Sequence, residues 1–269
     1  MSKQQQGLPQ QCTNAGSIGL LGWKMLETHI DMLRLLFLWR LMLLPTTCIF
    51  KSIFLKRFEL LVHSIEQHTG PTWQYIQACR RYGLLDMVID AVESGNYISL
   101  DKWKCLVKRT LNELDLKRWK VICRTYKSLT MLNLDFQQHQ VSPWWQHCYN
   151  DPWFSRQNRI IVKLLLNSQR RGRSICFLCD DHRLNTAHHL LFECPSVDAL
   201  RCKLWTVVGD SSPPQFKISM QNMPSKKRCM FILNAFNVPY VQEWKSIYDS
   251  VSDFIYRVCV QYDKMCTNE

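Results

Sequence analysis

The chain has 269 residues, of which 46% are apolar and ten are tryptophan, so it can bury a sizeable core and is not a wholly disordered protein. Its formal net charge of +12 favours a polyanionic partner, with nucleic acid ahead of an acidic membrane. The longest apolar stretch contains Arg34, Arg40 and Pro45, which exclude it as a membrane-spanning helix. We expect nucleic acid and no membrane as the partner.

The cysteine content and the N-terminal residues indicate a reducing compartment. Thirteen cysteines give an odd count with no compact disulfide framework, and residues 1–16 are polar without the pattern of a secretory signal. We expect an intracellular protein, nuclear or cytoplasmic and not secreted. Reduced thiols in such a compartment suit metal ligation better than disulfide formation.

Apolar periodicity predicts a mainly α protein, because no stretch shows a strong alternating strand pattern. The expected architecture is an irregular helical bundle followed by a small zinc-knuckle module and a C-terminal helical segment. The predicted segments are a disordered tail (1–16), a helical domain (17–140), a Trp-rich section with a basic helix and a zinc-binding module (141–200), and a C-terminal helical segment (201–269).

Within the helical domain, residues 17–44 form the first predicted helix, which ends at Pro45. Its expected buried face comprises Leu20, Trp23, Leu26, Ile30, Leu33, Leu36 and Phe37. A second amphipathic helix is predicted over residues 49–67, with outward-facing Lys51, Lys56 and Arg57. A helix or a pair of helices is expected over 73–94, and further helices over 100–115 and 117–132. Ser99 is the predicted N-cap of the helix that begins at Leu100.

The section after residue 141 is rich in tryptophan and then in basic residues. Large aromatic side chains are usually buried, so we expect Trp144, Trp145 and Trp153 in the core and not as base-stacking platforms. A basic helix is predicted from Ser155 to Gln169, and no acidic residue occurs from Pro152 to Cys179. The residues expected to contact nucleic-acid phosphates are Arg156, Arg159, Lys163, Arg170, Arg171 and Arg173.

The spacing of cysteine and histidine after this helix indicates a metal site. Cys176 and Cys179 are separated by two residues, and His189 and Cys194 by four. Three thiolates and one imidazole form a closed tetrahedral Zn²⁺ site, which is structural because it has no open position for a reacting water. His188 is the alternative to His189 as a ligand. The alternatives for entering the metal shell are His182 and Cys202.

The run Cys176-x2-Cys179-x9-His189-Leu190-Leu191-Phe192-Glu193-Cys194-Pro195 resembles the zinc-binding segment after the polymerase core of LINE-like (non-LTR) retrotransposon reverse transcriptases. Asn185-Thr186 stands where a Glu-Thr pair is usual. Weaker similarity, as in Gly19-Leu20-Leu21-Gly22-Trp23 and Tyr82-Gly83-Leu84, extends over most of residues 17–200. The resemblance implies that this chain corresponds to the region that follows the palm subdomain of the polymerase. In such proteins that region is expected to hold the template or target nucleic acid. It also implies a reverse-transcriptase core on another chain as a partner.

Polymerase chemistry is not expected of this chain. A reverse transcriptase holds two metal ions with three carboxylates, two of them in a strand hairpin. Leu178-Cys179-Asp180-Asp181 imitates that paired-aspartate box, but Cys179 belongs to the metal set and no flanking strands are predicted. The sequence therefore predicts a protein that is not an enzyme.

The leading hypothesis is a non-catalytic nucleic-acid-binding fragment of such a retrotransposon protein, with RNA and DNA both open as ligands. One alternative is a helical protein-interaction module in which zinc is only a structural staple. Another is the product of a decayed element, without function. A steep salt dependence of oligonucleotide binding would distinguish the first hypothesis from the second.

Overall fold

The structure is a computed structural model that describes residues 2–10, 12–135, 140–166, 176, 178–179, 186–212, 218, 220 and 222–267. Its helices are α1 (Ser2–Gln5), α2 (Asn14–Leu20), α3 (Leu26–Met42), α4 (Ile49–Leu61), α5 (Pro71–Arg81), α6 (Leu85–Ser94), α7 (Leu100–Thr125), α8 (Pro143–Asn150), α9 (Ser155–Leu165), α10 (Asp198–Ser211), α11 (Ser225–Leu233) and α12 (Lys245–Thr267). The predicted mainly α fold class is confirmed. None of the described helices combines the length and the apolarity needed to cross a bilayer.

Local sequence signals set several helix ends. The Thr13 hydroxyl accepts a hydrogen bond from the Gly16 N–H and caps α2, and the Ser99 hydroxyl accepts one from the Lys102 N–H at the start of α7. Ser99 is thus confirmed as the cap. Gly95 ends α6 in the left-handed conformation, at a φ of 70°. Helix α7 is one continuous helix where two were predicted, because no breaking residue separates its halves.

The chain divides into two compact units. Residues 24–119 form the central unit, and residues 1–23 together with 120–269 form the terminal unit. These boundaries differ from the predicted segments 17–140, 141–200 and 201–269, because the first 23 residues belong with the C-terminal half of the chain. Periodicity along the sequence carries no signal for such long-range pairing.

The core of the central unit is built around two stacked indoles. The rings of Trp39 and Trp103 lie 4.1 Å apart and nearly parallel. The Trp103 indole N–H donates to the Leu35 carbonyl at 2.9 Å, which ties α7 to α3. Leu38 and Met42 are fully buried beside these rings. A buried tryptophan with a satisfied N–H contributes both apolar area and orientation to such a core.

The buried face of α3 is not the predicted one. Leu26, Ile30, Leu33 and Phe37 are exposed, whereas Leu35, Leu38, Trp39 and Met42 are buried. The helix is apolar on nearly all sides, so periodicity did not decide which face would be buried. Buried polar contacts fix its rotation: Asp31 binds Arg81, and the Thr28 hydroxyl donates to Asp115.

Lys51 is buried instead of facing outward. Its ammonium group donates to the Leu44 carbonyl at 2.9 Å and lies 4.9 Å from the centre of the Tyr97 ring. A long aliphatic stem allows this burial while the charge remains satisfied. Lys56 and Arg57 are exposed, as predicted.

In the terminal unit, α12 packs against α9 and α10. The Trp144 indole N–H donates to the Leu233 carbonyl at 2.7 Å, and Trp144 is fully buried. Residues 1–16, predicted as a disordered tail, contribute buried side chains here, including Leu8 and Cys12. Gln6 explains the difference, because its amide donates to the Ser17 carbonyl and accepts from the Trp145 indole.

A buried polar network fixes the inner side of α9. The Asn158 amide donates to the Trp144 carbonyl at 2.9 Å and accepts from the Ser252 hydroxyl at 2.6 Å. Its nitrogen lies 3.0 Å from His147 Nδ1, and His147 Nε2 lies 2.7 Å from Asp249. Helices α8, α9 and α12 are therefore joined by satisfied polar groups, and the opposite side of α9 is turned to solvent.

Candidate functional site

Four potential metal ligands lie together in the terminal unit. The ligand atoms of Cys176, Cys179, His189 and Cys194 all lie within 4.8 Å of one another. The Sγ atoms of Cys176 and Cys194 are 3.9 Å apart, and Cys179 Sγ is 3.3 Å from His189 Nε2. A tetrahedral site with Zn–S bonds of about 2.3 Å has S···S edges of about 3.8 Å. These four residues are therefore close enough to bind one metal ion.

A π-helical turn brings His189 and Cys194 to the same side. Residues His189–Glu193 form the turn, and the Cys194 N–H closes it by donating to the His189 carbonyl at 2.7 Å. Thr186 starts this segment, because its hydroxyl accepts from the His189 N–H at 3.1 Å. Single π turns occur frequently at functional sites, where the wider turn redirects side chains.

The two cysteine turns share a hydrogen-bonding pattern. The Leu178 N–H donates to Cys176 Sγ and the Ser196 N–H donates to Cys194 Sγ, in each case from two residues further along. The Ser196 hydroxyl also donates to the Leu178 carbonyl, which ties the two turns together. Backbone N–H groups aimed at sulfur stabilise a thiolate, which is the form that binds metal.

Two thiols of this cluster, those of Cys194 and Cys176, resist ionisation. Burial raises the pKa of Cys194 to about 12, and the neighbouring sulfurs of Cys176 and Cys179 add to the rise. Burial likewise raises the pKa of Cys176. A divalent ion would reverse this balance, because it neutralises the thiolates that it binds.

His189 and His188 point in different directions. His189 is buried and its Nε2 faces Cys179, while its Nδ1 lies 4.0 Å from the Glu193 carboxylate. His188 Nε2 lies 2.8 Å from the Ser225 hydroxyl, outside the cluster. The structure thus brings His189 and not His188 to the three cysteines. Cys202 is exposed and not part of the cluster, and His182 lies outside the described residues.

Two charged side chains lie next to the cluster. The Arg201 guanidinium on α10 is largely buried and donates to the Cys194 carbonyl at 2.7 Å. The Glu193 carboxylate lies on the far side of the His189 ring from the cysteines, where a carboxylate commonly orients a ligating imidazole.

The basic helix α9 begins at Ser155, as predicted. Arg156 and Arg159 are exposed and Lys163 is half-buried. The Arg156 guanidinium lies 5.4 Å from the centre of the Tyr256 ring, and the Arg159 side chain passes close to Gly7. Arg170, Arg171 and Arg173 lie outside the described residues, as do Asp180 and Asp181 of the imitated polymerase box.

Of the three tryptophans expected in the core, one is not there. Trp144 is buried and Trp145 is half-buried, but Trp153 is 81% exposed. The short 3₁₀ turn Pro152–Phe154 leads directly into α9, so Trp153 lies about one turn before Arg156. The neighbouring Tyr149 is also exposed. The solvent side of this helix therefore combines an aromatic ring with basic groups.

Basic residues near the metal cluster were missed from the sequence. Helix α11 carries the exposed Lys226 and Lys227 in its first turn, and Ser225 at its start contacts His188. His188 and Ser225 are 37 positions apart in the sequence, so no local signal indicated this contact. Only a tertiary contact identifies the two lysines as neighbours of the cluster.

Comparison of the chain with protein-family models, curated proteins and solved structures gave no match.

Proposed function

We propose that this chain is a non-catalytic nucleic-acid-binding protein with a structural zinc site. In this proposal Cys176, Cys179, His189 and Cys194 hold Zn²⁺, and the solvent side of α9 contacts phosphates of RNA or DNA. The observation that carries the proposal is the convergence of three cysteine sulfurs and one imidazole nitrogen within 4.8 Å. Their sequence order is also that of the retrotransposon zinc-binding segment that the chain resembles.

Zinc is the metal that this donor set favours. Three thiolates and one imidazole suit Zn²⁺ and leave no coordination position open for a substrate or a reacting water. The ion would fix the two cysteine turns and the π-helical turn in one arrangement. Its role is then to stabilise the fold beside the basic helix.

The charge and aromatic content of the terminal unit support a nucleic-acid ligand. This unit carries 20 Lys and Arg against 12 Asp and Glu, so it holds most of the positive excess of the chain. Arg156 and Arg159 on α9 both project to solvent, and the exposed Trp153 lies just before the helix on the same side. These three side chains form a row. Arginines pair with phosphates and an exposed indole can stack on an unpaired base.

The acidic residues Asp151, Asp249 and Asp253 are all held in ion pairs, with Lys245 shared between two of them. Asp151, two residues before Trp153, pairs with Lys245 at 3.0 Å, and Lys245 also binds Asp249 at 2.8 Å. Asp253 pairs with Arg257 at 2.7 Å. These contacts reduce the repulsion that a phosphate backbone would meet on approach.

Oligonucleotide binding measured at several salt concentrations tests the proposal. We expect the wild-type chain to bind a single-stranded 20-mer with a steep salt dependence. Replacing Arg156 and Arg159 together by glutamine should flatten the slope of log affinity against log salt by roughly 1.4, or about 0.7 per phosphate contact on a single strand. Arg57→Gln on α4 is the control, because it removes an exposed arginine of the central unit.

Trp153→Ala separates stacking from charge. We expect it to weaken single-strand binding several-fold while leaving the salt slope unchanged, because an indole releases no counterions. Absence of binding at low salt would reject the nucleic-acid proposal and leave the protein-interaction module with a zinc staple. Native mass spectrometry, with one zinc expected per chain, tests the metal separately.

A further inference from the structure

Helix α3 presents a row of exposed apolar side chains on the side away from the core. Leu26, Ile30, Leu33 and Phe37 are 72%, 38%, 53% and 49% exposed. They follow one another at intervals of four, three and four residues, so they form one line along the helix. We call these four residues the α3 seam.

The spacing of the α3 seam is that of positions a and d in a heptad repeat. This pattern forms the contact surface of a helix that packs lengthwise on one other helix. The seam is about 16 Å long, since it covers eleven steps of 1.5 Å. The opposite face of α3 is buried through Leu35, Leu38 and Met42, so the helix has a second apolar face available for packing.

We propose that the α3 seam binds the α3 seam of a second copy of this chain, with the two helices antiparallel about a two-fold axis. In this arrangement Ile30 packs against Leu33 of the second copy, and Leu26 packs against Phe37 of the second copy. The symmetry repeats each contact, so four matched layers form from one surface. Each layer pairs two different side chains, which allows them to interdigitate.

The charges that flank the seam favour this orientation. Antiparallel packing places Glu27 opposite Arg34 of the second copy, and the symmetry makes two such pairs. A parallel arrangement would instead bring Arg34 near His29 of the second copy. Glu27 and Arg34 are partly exposed and already belong to a polar network, in which Glu27 binds Arg81 at 2.8 Å and Arg34 binds Asp31 at 2.9 Å. They form the polar rim that surrounds the apolar centre of an interface.

The size of the seam is consistent with a reversible dimer. Its exposed apolar surface is on the order of 400 Å², the scale of the largest apolar patches of monomeric proteins, which are often functional. With the flanking residues included, each copy approaches the lower limit of a specific interface, at about 600 Å² per partner. We therefore expect association that depends on protein concentration and not a permanent dimer.

Sedimentation equilibrium of the full chain tests the proposal. Between about 1 and 100 µM, the wild-type mass should rise from 31.9 kDa toward twice that value. Leu33→Glu should remain monomeric over this range, because it places a charge in the centre of the seam. Leu60→Glu is the matched control, since Leu60 is 69% exposed on α4 and lies outside the seam. Far-ultraviolet circular dichroism verifies that both variants fold.

Cross-linking determines the orientation. A mixture of Ile30→Cys and Leu33→Cys variants should give a disulfide between positions 30 and 33 on mild oxidation, identified by peptide mass spectrometry. A 30–30 disulfide from the Ile30→Cys variant alone would overturn the antiparallel arrangement. In the sedimentation experiment, a wild-type chain that stays monomeric at 100 µM would overturn the dimer and leave the seam as a binding surface for a different protein. Equal loss of association in Leu33→Glu and Leu60→Glu would show that the seam is not the interface.

Discussion

At the scale of single residues, the four potential ligands differ from the other buried cysteines in their surroundings. Cys194 has two further sulfurs and an imidazole within reach, whereas Cys229 is equally buried and lies outside the cluster. Burial raises the pKa of both thiols to about 12, so a raised pKa alone does not mark a ligand. The convergence of three sulfurs and one imidazole nitrogen is what distinguishes the site.

This difference gives the first prediction. Cys194→Ser should lose bound zinc and lower the free energy of unfolding by several kcal/mol, because binding of a structural metal is also folding energy. Cys229→Ser should keep its zinc and lose only about 1–2 kcal/mol, as expected for a polar atom placed in a buried site. Elemental analysis and urea unfolding measure both effects. Equal zinc content in the two variants would contradict the assignment of Cys194 as a ligand.

His147 gives a prediction for pH dependence. Burial lowers the pKa of His147 and outweighs the opposing hydrogen bond to Asp249. The folded protein therefore takes up the proton at lower pH than the unfolded chain, in which the histidine pKa is about 6.5. The stability that comes from the neutral ring is complete above about pH 7 and is lost as the pH falls below 6.5, until it levels off at the lowered folded pKa.

Thermal unfolding between pH 5 and 7.5 measures this effect. His147→Gln keeps an amide in place of the ring but does not titrate, so the melting temperature of the wild type should fall more steeply than that of the variant as the pH is lowered. The groups that face this ring, Asp249, Lys245 and Asp151, are the same in both proteins. Parallel curves for the two proteins would show that His147 is not responsible.

The sequence predicts the potential metal ligands only where the spacing of cysteine and histidine along the chain identifies them. Cys176 and Cys179, then His189 and Cys194, were selected by the distances along the chain, and the structure brings all four together. The choice between His188 and His189 could not be made in this way, because adjacent residues satisfy the same spacing. The contact of His188 with Ser225, formed far along the chain, separates them.

At the scale of secondary-structure elements, the connection between α2 and α8 depends on a close backbone approach. Leu21 and Val141 form an isolated antiparallel bridge, and the Ser142 N–H donates to the Leu20 carbonyl at 2.9 Å. Gly22 has a φ of +67°, and a Cβ at this position would lie 2.7 Å from the Gln140 and Val141 backbone. Both the left-handed conformation and the space require glycine here.

Gly22→Ala should therefore lower the free energy of unfolding by about 2–4 kcal/mol, from left-handed strain together with a backbone clash. Gly95→Ala is the comparison, because Gly95 has a φ of +70° but open space around it. It should cost only about 1–2 kcal/mol, from the conformation alone. Urea unfolding of the two variants tests the difference, and equal losses would show that the approach of residues 140 and 141 is not tight.

Helices themselves were predicted more reliably than their faces. Periodicity and capping residues located α4, the C-terminal end of α3 and the start of α7, because these signals are local. The single helix predicted over residues 17–44 is instead interrupted after Leu20 and resumes at Leu26. The rotation of α3 was not predictable, since its apolar residues surround the helix and the decisive contact joins Asp31 to Arg81, fifty residues away. Trp153 is 81% exposed although burial is usual for its residue type, because residue type alone does not show whether other parts of the chain cover a side chain.

At the scale of the whole molecule, the potential metal ligands belong to one of the two units. The central unit depends on an apolar core around Trp39 and Trp103. Among the described residues, the group that could hold a metal ion lies entirely within the terminal unit. Neither the division of the chain nor the pairing of residues 1–23 with 120–269 could be predicted from the sequence, because both depend on contacts between distant segments.

This division gives the last prediction, which differential scanning calorimetry can test. The zinc-loaded protein should show two thermal transitions, and a strong chelator should lower only the one that belongs to the terminal unit. A loss of several kcal/mol should shift that transition by about 10 °C, because 1 kcal/mol corresponds to roughly 2–4 °C for a unit of this size. The Cys194→Ser variant provides the control, since a chelator should not shift its terminal transition further. Equal shifts of both transitions would contradict separate units. No shift in the wild type would contradict a structural metal, because an ion that binds only the folded state must stabilise the unit that holds it.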